Sequence, residues 1–137
     1  MPPFLYLRDP LFLFGCAAYA ANRWLLKPHL ASPFLHSYFN DLFLIPCALP
    51  PILLLQSWLG LRDQQRKPSL PEIVLHLAIW SVLFEWIGPR IYSRAVGDRW
   101  DVAAYAAGAV VAAIWWSEWW RPERLARLVR KRPAAIA

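Results

Sequence analysis

The chain has 137 residues, 58% of them hydrophobic, with nine Trp and a formal net charge of +6. That length leaves room for one domain, and the apolar and Trp content lies well above the soluble norm, which excludes an ordinary water-soluble globule and points to an integral membrane protein. A nucleic-acid partner is not expected, because the positive charge follows the pattern of membrane topology described below.

Four apolar segments follow in chain order, at about 10–26, 42–59, 70–87 and 102–120. Each is near the ~17–25 residues that cross a ~30 Å hydrocarbon core at 1.5 Å per residue. Runs of this length without strict alternation favour helices over a barrel. The predicted fold is therefore all-α, a four-helix transmembrane bundle over residues 1–120, followed by a basic tail at 121–137. The first segment is interrupted by Gly15 and trimmed by Asn22 and Arg23. Its start does not read as a cleaved signal, since Met1 to Phe4 lack a basic region and Arg8 and Asp9 fall where a signal core is apolar.

The second segment carries Pro46, Pro50 and Pro51, which remove backbone donors and predict a loosened helix whose freed carbonyls face neighbours or water. Ser69, Leu70, Pro71 and Glu72 form a capping-box pattern that starts the third helix, and Gly88 with Pro89 is expected to close it. On the fourth, Asp101, Tyr105, Gly108 and Ala112 share one face, with small residues at 104, 108 and 112 that admit a close neighbour. In the tail, Leu125, Leu128 and Val129 line one side of a basic stretch that suits an amphipathic helix on anionic headgroups.

Charge sets the expected orientation. With the N-terminus in the cytoplasm, ten Lys and Arg residues fall inside and five outside, the latter being Arg23, Lys27, Arg90, Arg94 and Arg99. Both termini are then cytoplasmic in a multi-pass protein of a bacterial inner membrane. Trp115, Trp116, Trp119 and Trp120 would mark the inner interface, and Trp24, Trp86 and Trp100 the outer one.

This topology brings Asp41, Glu85 and Asp101 to the outer end, where a carboxylate at the edge of hydrocarbon must be paired, protonated or hydrated. The outer loops add His36 and Tyr38 on one side, and Arg90, Arg94, Asp98 and Arg99 on the other. With Tyr105 these form the predicted ligand-binding set. Asp41 and Asp101 have a simpler explanation as helix caps or partners of the arginines, whereas Glu85, near a helix C-terminus, opposes the macrodipole.

The sequence Pro33-Phe34-Leu35-His36-Ser37-Tyr38-Phe39-Asn40-Asp41-Leu42, the pair Phe84-Glu85 with Pro89, and Gly97-Asp98-Arg99-Trp100-Asp101-Val102 with Tyr105 and Gly108 carry a resemblance. Over roughly residues 20–115 the chain resembles small bacterial VanZ-like membrane proteins, some of whose relatives are labelled magnesium–citrate transporters by transfer. His36, Glu85 and Asp101 match the group's histidine, late-helix glutamate and helix-opening aspartate. Phe84 stands where an acidic residue is usual, and Tyr105 where an asparagine is common. The resemblance implies a four-helix envelope protein linked to glycopeptide tolerance or envelope lipids.

Three chemistries fit the cluster. An envelope lipid or related anionic ligand, with arginines on its phosphate, is the preferred one. A divalent cation on His36, Asp41, Glu85, Asp98 and Asp101 is the candidate cofactor, in a metal-ion or organic-anion permease that would need to oligomerise. An intramembrane metal-dependent hydrolase with His36 as general base is the third, but no catalytic residue is assigned and a binding protein is favoured over an enzyme. Membrane lipids are the expected partners. His76 reads as a hydrogen-bonded core histidine, and Ser81 as bonded to Glu85 or to its own backbone. Cys16 and Cys47 read as reduced small hydrophobes that match no disulfide framework or zinc spacing.

Overall fold

The computed structural model describes residues 4–64 and 66–119, and among them all regular structure is helical. Helix α1 (Pro10–Ala21) starts where Asp9 accepts the Leu11 amide at 3.0 Å and Pro10 occupies the first turn, where its missing donor costs nothing. It widens into a π turn over Asn22–Leu26. A short α2 (Pro33–Ser37), capped by Ser32, lies in the following connection, and a 3₁₀ turn at Asp41–Phe43 leads into α3 (Leu44–Trp58).

Helix α3 runs without interruption through Pro50 and Pro51. Pro46 is in its first turn and costs no hydrogen bond, while the other two prolines free the carbonyls of Pro46 and Cys47. Gly60 follows with φ of 72°, the left-handed geometry that ends a helix and that a side chain resists. The capping box expected at Ser69 and Glu72 is present at the start of α4 (Leu70–Ser81).

The end of α4 differs from expectation. Its axis continues through a π turn at Val82–Ile87 and a short α5 (Gly88–Ile91), with Gly88 in right-handed helical geometry at φ −52°. Pro89 does not terminate the rod because it falls in the first turn of α5. Helix α6 (Arg99–Ile114) begins before the expected Val102, capped by Asp98, and continues through a π turn at Trp115–Trp119. The amphipathic tail and Trp120 lie outside the described residues.

Helix α6 packs against α3, α4 and the 3₁₀ turn, while α1 packs on α3 and α3 on α4. The core runs from Ile45, Leu49 and Leu53 to Ile73, Ala109 and Ala112, closed at one end by Phe4, Tyr6 and Trp116. Trp116, expected at the interface, is 1% exposed, whereas Trp24, Trp86, Trp100 and Trp119 are exposed.

Two helical segments, Asp41–Trp58 and Leu70–Ile91, are long and apolar enough to cross a membrane. In the second only 11% of the most apolar stretch is buried within the fold. A core helix of a soluble protein would bury that surface. Here Leu70, Val74, Leu75, Ile79, Val82 and Trp86 point outward instead.

Candidate functional site: an acidic cavity

The start of α3, the end of α4 and the start of α6 meet around a cavity of about 500 Å³. Asp41, Glu85 and Asp101 line it together with Asn40, Phe84 and Tyr105. These three carboxylates come from segments far apart in sequence and share the one address that their positions in the chain implied.

Glu85 is the most firmly held. The Tyr105 hydroxyl donates to its Oε1 at 2.8 Å, and the Asp98 amide donates to its Oε2 at 2.6 Å. Asp98 in turn accepts the Trp100 amide at 2.9 Å as the cap of α6 and the Tyr38 hydroxyl at 3.2 Å. Desolvation, and then this bond to Asp98, raises the pKa of the Tyr38 phenol. Glu85 thus ties the 92–98 connection to the end of the α4 rod.

Two glycines allow the closeness. A Cβ at Gly97 would collide with the Glu85 carbonyl, and one at Gly108 with the Leu42 carbonyl. The small face of α6 therefore seats the backbone of the 3₁₀ turn that carries Asp41.

Asp41 and Asp101 are held differently. Among the described residues neither carboxylate accepts a hydrogen bond or forms an ion pair. The capping role considered for both is filled at α6 by Asp98, and the 3₁₀ turn at Asp41 has no side-chain cap. Asp101 still sits in the first turn of α6, where a negative charge complements the helix dipole. The arginines do not neutralise either one.

Several residues of the predicted set stand apart from the cavity. The His36 ring bonds the Leu30 carbonyl at 3.1 Å, and Lys27 donates to the His36 carbonyl at 2.8 Å. Arg90 donates to the Trp86 carbonyl and stacks over the Trp86 ring at 4.1 Å. Arg94 and Arg99 are exposed. Among the described residues the lining contains no His, Lys or Arg. A histidine base and an arginine-bound phosphate therefore have no place inside it. Nor does any group of three His, Cys, Asp or Glu side chains among the described residues stand ready to hold a metal ion, because Asp98 and Glu85 spend their oxygens on protein donors and His36 is turned away.

Other expectations resolve more simply. His76 is buried and its Nδ1 bonds the Glu72 carbonyl at 2.6 Å, as a core histidine should. Ser81 Oγ is buried without a partner among the described residues, so it bonds neither Glu85 nor its own backbone.

Two polar anchors were not anticipated from the sequence. Asp9, fully buried, accepts the indole N–H groups of Trp115 at 2.8 Å and Trp116 at 2.5 Å. Asn22, also fully buried, donates to the Leu35 carbonyl at 2.8 Å and Asn40 Oδ1 at 2.9 Å. The Asp9-Pro10 cap pattern was the available signal for the first; nothing local pointed to its partners more than a hundred residues on. No family model, curated protein or solved structure matches the chain.

Proposed function

We propose that the chain is a VanZ-like four-helix protein of a bacterial inner membrane, with both termini cytoplasmic, and that its outward-facing acidic cavity binds the head of an envelope lipid. Segments 10–26 and 99–119 join the two apolar spans in this arrangement. Outward-facing apolar residues on α4 and the excess of Lys and Arg in the inner segments support it.

The observation that carries the binding reading is the cavity itself: among the described residues three carboxylates line it, two of them accept no hydrogen bond, and the lining holds no Lys, Arg or His. Such a lining attracts a positively charged or hydrogen-bond-donating group and repels an anion. The preferred ligand is thus an amphiphile whose ammonium or hydroxyl groups enter the cavity while its chains lie against the apolar flanks. Any phosphate stays outside the cavity.

Lipid co-purification with headgroup competition tests this. Protein purified in mild detergent should retain a defined amphiphile by native mass spectrometry, and ethanolamine should displace it while inorganic phosphate should not. Displacement by phosphate alone, or retention of bulk lipid without selection, would defeat the proposal. For orientation, cysteines introduced as His36→Cys and Asp98→Cys in a background lacking the native cysteines should react with an impermeant maleimide from the periplasmic side; labelling only from the cytoplasm would reverse the topology.

A further inference from the structure

Cys16 on α1 and Cys47 on α3 meet where the two helices cross. The crossing is close because Gly15 has no side chain: a Cβ there would lie 2.9 Å from Cys47 Sγ and 3.3 Å from the Phe43 ring. Cys16 follows Gly15 on α1, so the two cysteines flank the same close crossing. Both are free. Their surroundings differ, since Cys16 is exposed on the outside of the bundle and Cys47 lines the acidic cavity.

We infer that Cys16 and Cys47 form a dithiol pair that closes to a disulfide on two-electron oxidation and so ties α1 to α3 at the cavity wall. A disulfide needs Cα atoms no more than about 7 Å apart, which ordinary helix pairs seldom allow and a glycine crossing favours. The oxidant class is a quinone, which is lipid-soluble and can reach the exposed Cys16. Two S–H bonds break and one S–S bond forms; the two electrons and two protons pass to the quinone, which leaves as a hydroquinone. The inference rests on the close crossing at Gly15 and does not depend on what the cavity binds.

The cross-link acts on the wall of the cavity that α3 supplies. Cys47 lies one turn before the prolines that free its own carbonyl, and Phe43 of the Asp41 turn packs against the same glycine. Oxidation would hold that wall in one position, and reduction would release it.

The test uses the full chain in detergent, treated with a fully substituted benzoquinone that cannot alkylate thiols by ring addition. Intact mass spectrometry should show a loss of two hydrogens, maleimide labelling should fall from two per chain to none, and dithiothreitol should restore both. Peptide mapping should place the link between residues 16 and 47. Cys16→Ser and Cys47→Ser should each keep one reactive thiol after the same treatment. Two thiols still labelled in the treated wild type, or links only between chains, would overturn the inference.

Discussion

The two polar ends of the bundle use the same residue types in opposite ways. At the end where α1 begins and α6 finishes, two carboxylates are consumed by protein donors: Asp9 takes two indoles and a backbone amide, and Glu72 takes its cap and the Arg66 guanidinium at 2.7 Å. Arg62 is buried beside them, bonded to the Arg66 carbonyl, and burial lowers its pKa against the opposing effect of Glu72. At the other end Glu85 is similarly satisfied, but Asp41 and Asp101 open on a cavity and accept no hydrogen bond among the described residues. A satisfied buried carboxylate fixes a fold; one facing a cavity without donors leaves capacity for a ligand.

The largest expected effect that could break this contrast is at Asp9. Asp9→Ala strands two indole donors and removes a helix cap, so unfolding in detergent should show a loss of about 3–5 kcal/mol. A loss below about 1 kcal/mol would show that the first end is not the structural one. Next comes Gly108→Ala, whose methyl must displace the Leu42 backbone; a cost of about 1–3 kcal/mol is expected, with reduced ligand retention because the Asp41 turn moves. Wild-type stability there would mean that the close seat is not needed.

Tyr105→Phe sharpens the comparison inside the cavity. It deletes one donor to Glu85 and should cost about 1 kcal/mol while altering ligand retention more than stability. Unchanged retention would separate the Tyr105–Glu85 pair from binding. The smallest effect belongs to Arg94→Ala, which should stay within about 0.5 kcal/mol of wild type and leave headgroup competition unaltered. Loss of the bound amphiphile in that variant would return the arginine to the site.

Much of the cavity end was legible in the sequence. Asp41, Glu85 and Asp101 could be assigned to one place because helix direction needs only the chain order, and the spacing of Asp101, Tyr105 and Gly108 gave the face of α6. The capping box at Ser69 was readable because it is local. What escaped depended on side-chain direction or on distant partners. His36 and the arginines lie near the right loops in sequence, yet His36 turns to Leu30 and Arg90 to Trp86. Gly88 and Pro89 carry a stop signal that loses force once the rod passes through a π turn and Pro89 enters a new first turn. Asp9 with Trp115 and Trp116 is a pairing that no spacing rule encodes.

The central claim is that the unsatisfied carboxylates serve a ligand rather than the fold. The most direct measurement is native mass spectrometry of wild type beside the double variant Asp41→Asn with Asp101→Asn, each confirmed folded by its unfolding transition. The account predicts that the variant unfolds no earlier than wild type and has lost the selected amphiphile. A variant that is destabilised by several kcal/mol, or that carries the same amphiphile at the same stoichiometry, would contradict it.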